Sequence, residues 1–402
     1  MSVTHASVII VSRHRAQALR RCLVALTQQD HPQFEVIVVA DSDGLAAVRD
    51  FAVKTVAFDA ANISMARNLG LSLAAAPVVA FIDDDAVAEP SWLSRLVAGF
   101  DDPTVVQATG FVRGRNGISF QWQAAEVDRF GQDHPLQVGA GGVFDASEGR
   151  VVKTQGTNCA FRRADLLAIG GFDPAYRFYL DEADVNLRLM GRTAVVPLAQ
   201  VHHGYHASAM RRADRVPLSL FEIAASTAVF LRRHAVLDLA TWVQLQRRER
   251  LRAFAHRRAG RLTETEVMTL MLTLAGGWAE GLSRSLTALI PLEDDPPPFL
   301  PLPGTGPRPG LVLAGRVWQR RRLQATARAL AGSHIVTLFC FEPTIRAHQM
   351  RFHADGYWMQ TGGLFGRSDR DMPRFRLTGF DSRVAVERDR WQDFRPVAAG
   401  AA

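Results

Sequence analysis

Cysteine is scarce in this chain of 402 residues: Cys22, Cys159 and Cys340 stand far apart. No C-x-x-C pair and no dense framework runs through them, which argues against a zinc module or a secreted disulfide scaffold. A reducing cytosol is the default compartment. Lysine is nearly missing too, with only Lys54 and Lys153, so arginine carries the net charge of +7. No apolar run reaches the roughly eighteen residues that a spanning helix needs. The nearest candidate, Val267 to Ala279, ends at Glu280. The N-terminus lacks a charged start followed by a continuous apolar core, so no signal peptide is expected. These absences suit a cytoplasmic protein, at most peripheral on the cytoplasmic face of an inner membrane.

What remains is an ordinary globular composition, 48% apolar and 22% charged, long enough for two or three domains. The charge is unevenly placed. Between Arg211 and Arg261 twelve arginines face four acids (Asp214, Glu222, Asp238 and Glu249), a local excess of +8, so the rest of the chain is about neutral. Such a focus suits anionic lipid headgroups or phosphorylated acceptors. It carries no zinc spacing and no aromatic RNA motif, so nucleic acid is not expected.

Over the first hundred residues short β-branched runs alternate with helical spacing. Ser7–Ser12, Phe34–Ala40 and Val78–Ile82 read as strands, and Arg15–Gln29 and Asn62–Ala75 as helices. Continuous apolar strands separated by helices imply a parallel sheet covered on both faces. Further strands are expected at Val105–Arg115, Val151–Arg162 and Thr193–Val201, with helices at Arg163–Ile169 and Glu182–Met190. A first domain is closed near residue 210. Residues 211–290 read as an arginine-rich helical extension, and 291–309, with eight prolines, as a semi-extended linker. Residues 310–402 suggest strands at Gly310–Gly315 and His334–Glu342 flanking a helix from Val317 to Ala331, with a frayed tail after Val384. No internal repeat is present.

Chemistry concentrates at two acidic clusters. Asp83-Asp84-Asp85 follows the strand VVAFI, at the carboxyl end where open α/β sheets bind ligands. A divalent cation relieves the repulsion between such carboxylates. Asp83 and Asp85 point to one side of an extended chain and Asp84 to the other. Asp41, in the loop Asp41-Ser42-Asp43-Gly44, follows the second strand at the same kind of end, and the helix Ser64–Asn68 carries Arg67. The second cluster, Asp181-Glu182-Ala183-Asp184, opens a helix just after Gly170-Gly171-Phe172-Asp173-Pro174. Capping acids are favoured there by the helix dipole, and one of them can accept a proton from a hydroxyl.

Read in order, SVIIVSRHR, EVIVVADSDG, NISMARNLG, FIDDDAVAEPSWL, QGTNCAFRR, GGFDPAYRFYLDEADVNLRL and VHHG resemble a family 2 glycosyltransferase over residues 6 to about 210. The resemblance implies an α/β fold of the GT-A type: a Rossmann-like mixed sheet flanked by helices, here with a helical extension and a small C-terminal α/β region. It implies inverting transfer of a sugar from a nucleotide-diphosphate donor (UDP-, GDP- or dTDP-sugar) to a hydroxyl of a glycan or lipid-linked acceptor. The setting it suggests is bacterial surface polysaccharide or cell-envelope biosynthesis, with Mg2+ or Mn2+ as cofactor. Carried over by position, Asp83 and Asp85 match the D-x-D metal ligands and Asp41 the acid that contacts the nucleobase. Arg67 and Asp84 join the donor site. Asp181-Glu182 stands where the family has Glu-Asp, so Glu182 takes the base role with Asp181 its competitor. His203 matches a histidine near the metal or diphosphate, with His202 beside it. Gly156-Thr157-Asn158 is expected to shape the sugar pocket, and Trp122 to stack on an acceptor ring or lie in the core. Ser12-Arg13-His14-Arg15 departs from the family's usual Pro-Thr-Tyr-Asn-like opening. The competing readings are a nucleotidyltransferase, whose Gly-rich phosphate loop is missing between Val8 and Leu26, and a catalytically inactive nucleotide-sugar-binding or basic surface-binding protein.

Overall fold

The computed structural model describes residues 4–147, 149–204, 210–212, 214–237 and 239–395. The boundary expected near residue 210 abuts residues 205–209, and Asp238 is one of the counted acids; these residues and 396–402 lie outside the described ones. The N-terminal half begins β1 (Ala6–Ser12), α1 (Ala16–Leu26), β2 (Phe34–Ala40), α2 (Ser42–Ala46), β3 (Lys54–Ala57), α3 (Ile63–Leu73), β4 (Val78–Asp83), β5 (Ala86–Ala88) and α4 (Trp92–Ala98). β1, β2 and β4 are buried almost throughout, which is why they read as unbroken Val/Ile runs. Val8, Ile10, Val36 and Val38 join Leu19 and Trp92 in one core layer, while Ile9, Ile37 and Val39 join Ala66 and Leu71 in the other.

The chain continues through β6 (Val105–Arg113), β7 (Phe120–Trp122), β8 (Ala125–Asp128), β9 (Asp133–Pro135), β10 (Gly142–Phe144), β11 (Arg150–Val152), β12 (Cys159–Arg162), α5 (Arg163–Ala168), α6 (Asp181–Leu189) and β13 (Arg192–His203). The main sheet runs β10-β13-β6-β12-β4-β1-β2-β3, with β5 beside β13 and β7 beside β6. β12 is antiparallel to both its neighbours, so the sheet is mixed, as expected. The segment 151–162 is not one strand: β11 pairs into a separate β11-β8-β9 sheet. Parallel register sets Ser12 beside Ala40 and Val11 beside Asp83. The carboxyl ends of β1, β2 and β4 therefore open on one edge.

Three helices follow, α7 (Phe221–His234), α8 (Leu239–Arg258) and α9 (Glu264–Ser283). Gly277 and Gly281 let α9 approach α7 closely, since a Cβ at either would lie within 2.4 Å of the α7 backbone. Thr263 and Glu266 close a reciprocal capping box at the start of α9. The proline-rich stretch is extended but pinned down. Leu300 N donates to Glu35 Oε2, Leu302 N to the Phe34 carbonyl, and Lys54 Nζ to the Pro297 carbonyl. The amides between the prolines thus find partners along the sheet margin.

The C-terminal region holds β14 (Gly310–Arg316), α10 (Arg320–Leu330), β15 (Ile335–Glu342), β16 (Gln349–Phe352), β17 (Trp358–Gly363) and α11 (Phe380–Trp391), with sheet order β14-β15-β17-β16. The frayed tail expected after Val384 is corrected here. Residues 384–391 belong to α11, and Trp391, Phe394 and Arg395 are buried. Their partners, Glu89 and Trp358 among them, lie far away in sequence. Among the described residues no helix is long and apolar enough to cross a membrane.

Candidate active site

The acidic triplet emerges from β4 into the common edge, and its members separate as extended geometry requires. Asp84 is fully buried; Ser12 Oγ donates to its Oδ2 at 2.6 Å, and Arg15 approaches its Oδ1 at 2.9 Å. Burial pushes its carboxyl up to about 7 against the pull of Arg15. Asp84, grouped by sequence with the donor contacts, therefore faces the core and supports the loop after β1. Arg15 also reaches Asp85 at 3.5 Å, so the Ser12–Arg15 stretch that departs from the family pattern buttresses the triplet. Asp41 is buried at the end of β2, where its Oδ1 accepts from His14 N at 3.2 Å.

Asp83, Asp85 and His203 bring one donor atom each to within 4.8 Å of one another. His203 Nε2 lies 3.1 Å from Asp85 Oδ1 and 3.9 Å from Asp83 Oδ2. The cause is register: β13 runs antiparallel to β5 with His203 opposite Ala86, next to Asp85 in the chain. Burial alone would lower the His203 pKa, yet the Asp85 and Asp83 carboxylates hold it above the ordinary value. His202 alternates to the other face. It meets Glu89 Oε1 at 2.6 Å and packs on Trp358 at 4.7 Å between ring centroids. Strand geometry thus separates the two adjacent histidines: His203 faces the acidic pair and His202 the C-terminal region.

The second cluster opens α6 after two left-handed non-glycine residues, Tyr179 (φ 72°) and Leu180 (φ 65°). Each such residue costs on the order of 1–3 kcal/mol and persists only where its surroundings dictate it. Here Leu180 is buried, and Ser226 Oγ of α7 donates to the Phe178 carbonyl. The turn aims Asp181 inward and leaves Glu182 half-buried. Asp181 is bound by Arg67, whose guanidinium lies over the adjoining Phe81 and Phe172 rings at 5.7 and 5.1 Å and 3.8 Å from Asp83. Burial pushes the Asp181 carboxyl above the carboxylate range, opposed by Arg67 and reinforced by Glu182. Arg67, expected beside a nucleotide, is thus a buried bridge between the two acidic clusters. Gly156 makes room for it: a Cβ there would lie 2.5 Å from Arg67 Nη2.

Other expected residues lie deeper. Asn158 is fully buried, accepting from Trp92 Nε1 and donating to the carbonyls of Phe111 and Ala199; it braces the sheet. Asp184 is held by Arg188 and His234. Trp122 is half-buried under Lys153, whose Nζ lies 5.5 Å from the ring centroid. Sequence reasoning passed over Arg15, Lys153 and Glu89. Lys153 is buried and paired with Asp133, and its being one of two lysines was the available signal.

Comparisons with known proteins follow the same segment. Residues 7–166 match the model described as Glycosyl transferase family 2. Glucosyl-dolichyl phosphate glucuronosyltransferase of Haloferax volcanii is 34% identical over 113 residues, 28% of this chain and 34% of that protein. O-antigen biosynthesis protein RfbC of Myxococcus xanthus is 25% identical over 241 residues, 52% of this chain and 18% of that protein. The chain thus spans about a third of the first relative and under a fifth of the second. Among solved structures, S. aureus TarS 1-349 in complex with UDP aligns with 18% identity and a TM-score of 0.43, covering 59% of this chain and 68% of that one. GalNAc-T7 with UDP, GalNAc and Mn2+ aligns with 14% identity and a TM-score of 0.42, covering 57% and 48%. The helix-flanked mixed sheet agrees with the α/β class read from the sequence. The family match falls on the segment, residues 7 to 166, whose motifs resemble the same glycosyl transferase family 2.

Proposed function

We propose that this chain is an inverting, metal-dependent glycosyltransferase, moving a sugar from a nucleotide-diphosphate donor to a hydroxyl of a glycan or lipid-linked acceptor. The carrying observation is the convergence of Asp83, Asp85 and His203 beside the Asp181–Glu182 helix start, with Arg67 bridging the clusters. Two carboxylates and an imidazole fit Mn2+, with Mg2+ the alternative. Asp83, Asp85 and His203 would hold the cation, which would supply charge neutralisation for the donor diphosphate. Asp41, at the end of β2, is placed to meet the nucleobase. Glu182 takes the proton of the acceptor hydroxyl, because Asp181 is occupied by Arg67 and Glu182 is the more open carboxylate. Asp181, itself held by Arg67, is hydrogen-bonded to Glu182 beside it.

The domain roles belong to this reading: residues 1–210 for transfer, 211–290 as a basic helical extension, 291–309 as a proline-rich linker and 310–402 as a C-terminal region to which the reading assigns no role. The outer face of α8 interleaves exposed Leu239, Val243, Leu251 and Phe254 with exposed Arg247, Arg250 and Arg258. Apolar and basic residues on one helix face suit an anionic membrane surface, as does an acceptor carried on a lipid phosphate. Surface-polysaccharide or envelope assembly at the cytoplasmic face is the setting that accords with both.

The test is a thermal-shift panel of UDP, GDP and dTDP with and without Mn2+. One nucleotide should raise the melting temperature only with metal, and Asp85→Asn should remove that response together with sugar transfer. Metal-stimulated transfer retained by Asp85→Asn would overturn the metal assignment.

A further inference from the structure

A groove of about 630 Å³ lies between the outer face of α1 and the β16 edge of the C-terminal sheet. α1 contributes Arg20 and Arg21, the first turn of α10 contributes Arg320, and β16 contributes Gln349 and Arg351. In the β16–β17 pairing Gln349 stands opposite Thr361 and Arg351 opposite Met359, so these four side chains form one continuous floor. Four arginines line the groove and no carboxylate does. Arg20 is held by a two-point contact to Asp50. Among the described residues neither Arg320 nor Arg351 has an acidic partner; Arg351 bonds only the amide oxygen of Gln349. Both are exposed. The N-terminal end of α10, with its positive dipole end, adds to the same field.

The groove is also near the chemistry. Arg15, immediately before α1, contacts Asp84 and Asp85. At about 1.5 Å of rise per residue, Arg20 lies roughly 8 Å along the helix axis from Arg15. A linear anion lying across α1 would pass from the groove toward the acidic edge within two helical turns.

We infer that this groove binds the phosphate groups of an elongated phosphorylated acceptor, holding it outside the transfer site while its terminal hydroxyl reaches Glu182. Arginine suits this role because its planar fork meets phosphate oxygens at two points. A lone surface arginine is weak, whereas Arg320 and Arg351, with no acidic partner among the described residues, share one concavity with Arg20 and Arg21 and so favour a multiply charged ligand over a single carboxylate. The inference rests on the transferase reading, but its test does not depend on turnover.

The probe is sodium tripolyphosphate, titrated calorimetrically into the full chain in metal-free buffer at about 50 mM salt, within the long-screening regime. Without metal, Asp83 and Asp85 repel the probe, so binding there is suppressed. The expected result is saturable binding that weakens at least tenfold in Arg320→Gln/Arg351→Gln and less than twofold in Arg247→Gln/Arg250→Gln. No binding, or equal binding by wild type and the groove variant, would overturn the inference. Adhesion to anionic vesicles that falls with the groove variant, without tripolyphosphate binding, would also overturn it and assign the groove to lipid headgroups. Failure of metal-dependent nucleotide binding would instead strike the transferase reading and leave this measurement standing.

Discussion

Replacing Arg395 with methionine removes the cation that joins the tail to the main sheet. Arg395 donates to Glu89 through Nε at 2.8 Å and Nη2 at 2.6 Å, and both residues are buried. Its guanidinium also sits 3.7 Å above Trp358 and 4.6 Å from Trp391. Burial alone would raise the Glu89 pKa, yet Arg395 and His202 hold it down from 4.5 to about 2. A group with a depressed folded pKa stabilises the fold above its unfolded pKa, here by about 3 kcal/mol. That contribution is lost as pH falls from 4.5 toward 2. Breaking a buried pair from one side costs about 3–5 kcal/mol, because the remaining charge is stranded; the two routes agree. Lost cation–π contact adds about 1–2 kcal/mol. Urea unfolding followed by tryptophan fluorescence reads the site directly, since Trp358 and Trp391 are both buried in it. Arg395→Met should lower stability by about 4–6 kcal/mol. Glu89→Gln/Arg395→Met should recover about 2–3 kcal/mol of it, because the stranded charge is gone. Strictly additive losses, or a single-variant loss below about 1 kcal/mol, would refute the reasoning.

Glu182→Gln should cut turnover by about 10²–10⁴-fold with donor binding intact, whereas Asp181→Asn should weaken transfer through a misplaced Arg67; the reverse order in steady-state kinetics reassigns the base to Asp181. Gly156→Ala forces Arg67 away from its position, so transfer should fall by about tenfold or more and the melting temperature should drop with it, because the buried Arg67–Asp181 pair is disturbed. Unchanged transfer would show that the bridge is dispensable. The chain should adhere to anionic but not neutral vesicles. Arg248 and Arg252 are engaged with Glu249, so Arg247→Gln/Arg250→Gln should carry the loss. At about 1 kcal/mol per arginine near the surface the partition coefficient drops about 30-fold, and equal adhesion to both vesicle types would end the idea.

Local pattern made the central sheet legible. The Val/Ile runs of β1, β2 and β4 have no stable place except between two helical layers, and an Asp triplet after such a strand has few uses beyond the sheet edge. The alternation that separates Asp83 and Asp85 from Asp84 follows from strand geometry, as does the opposed facing of His202 and His203 once β13 is known to run through both. The sequence by itself therefore determined the sheet, the edge and the candidate acids. Tertiary structure alone decided which of them meet. Arg67 lies 114 residues from Asp181 in sequence, and nothing local distinguishes it from a solvated helix arginine. The two left-handed residues before α6 carry no glycine to announce them. Arg395 looks like part of a loose terminus until Glu89, 306 residues away, accepts its hydrogen bonds. Periodicity records which face of an element is apolar, whereas a buried charge is specified only by the partner that neutralises it, and that partner is supplied by the fold.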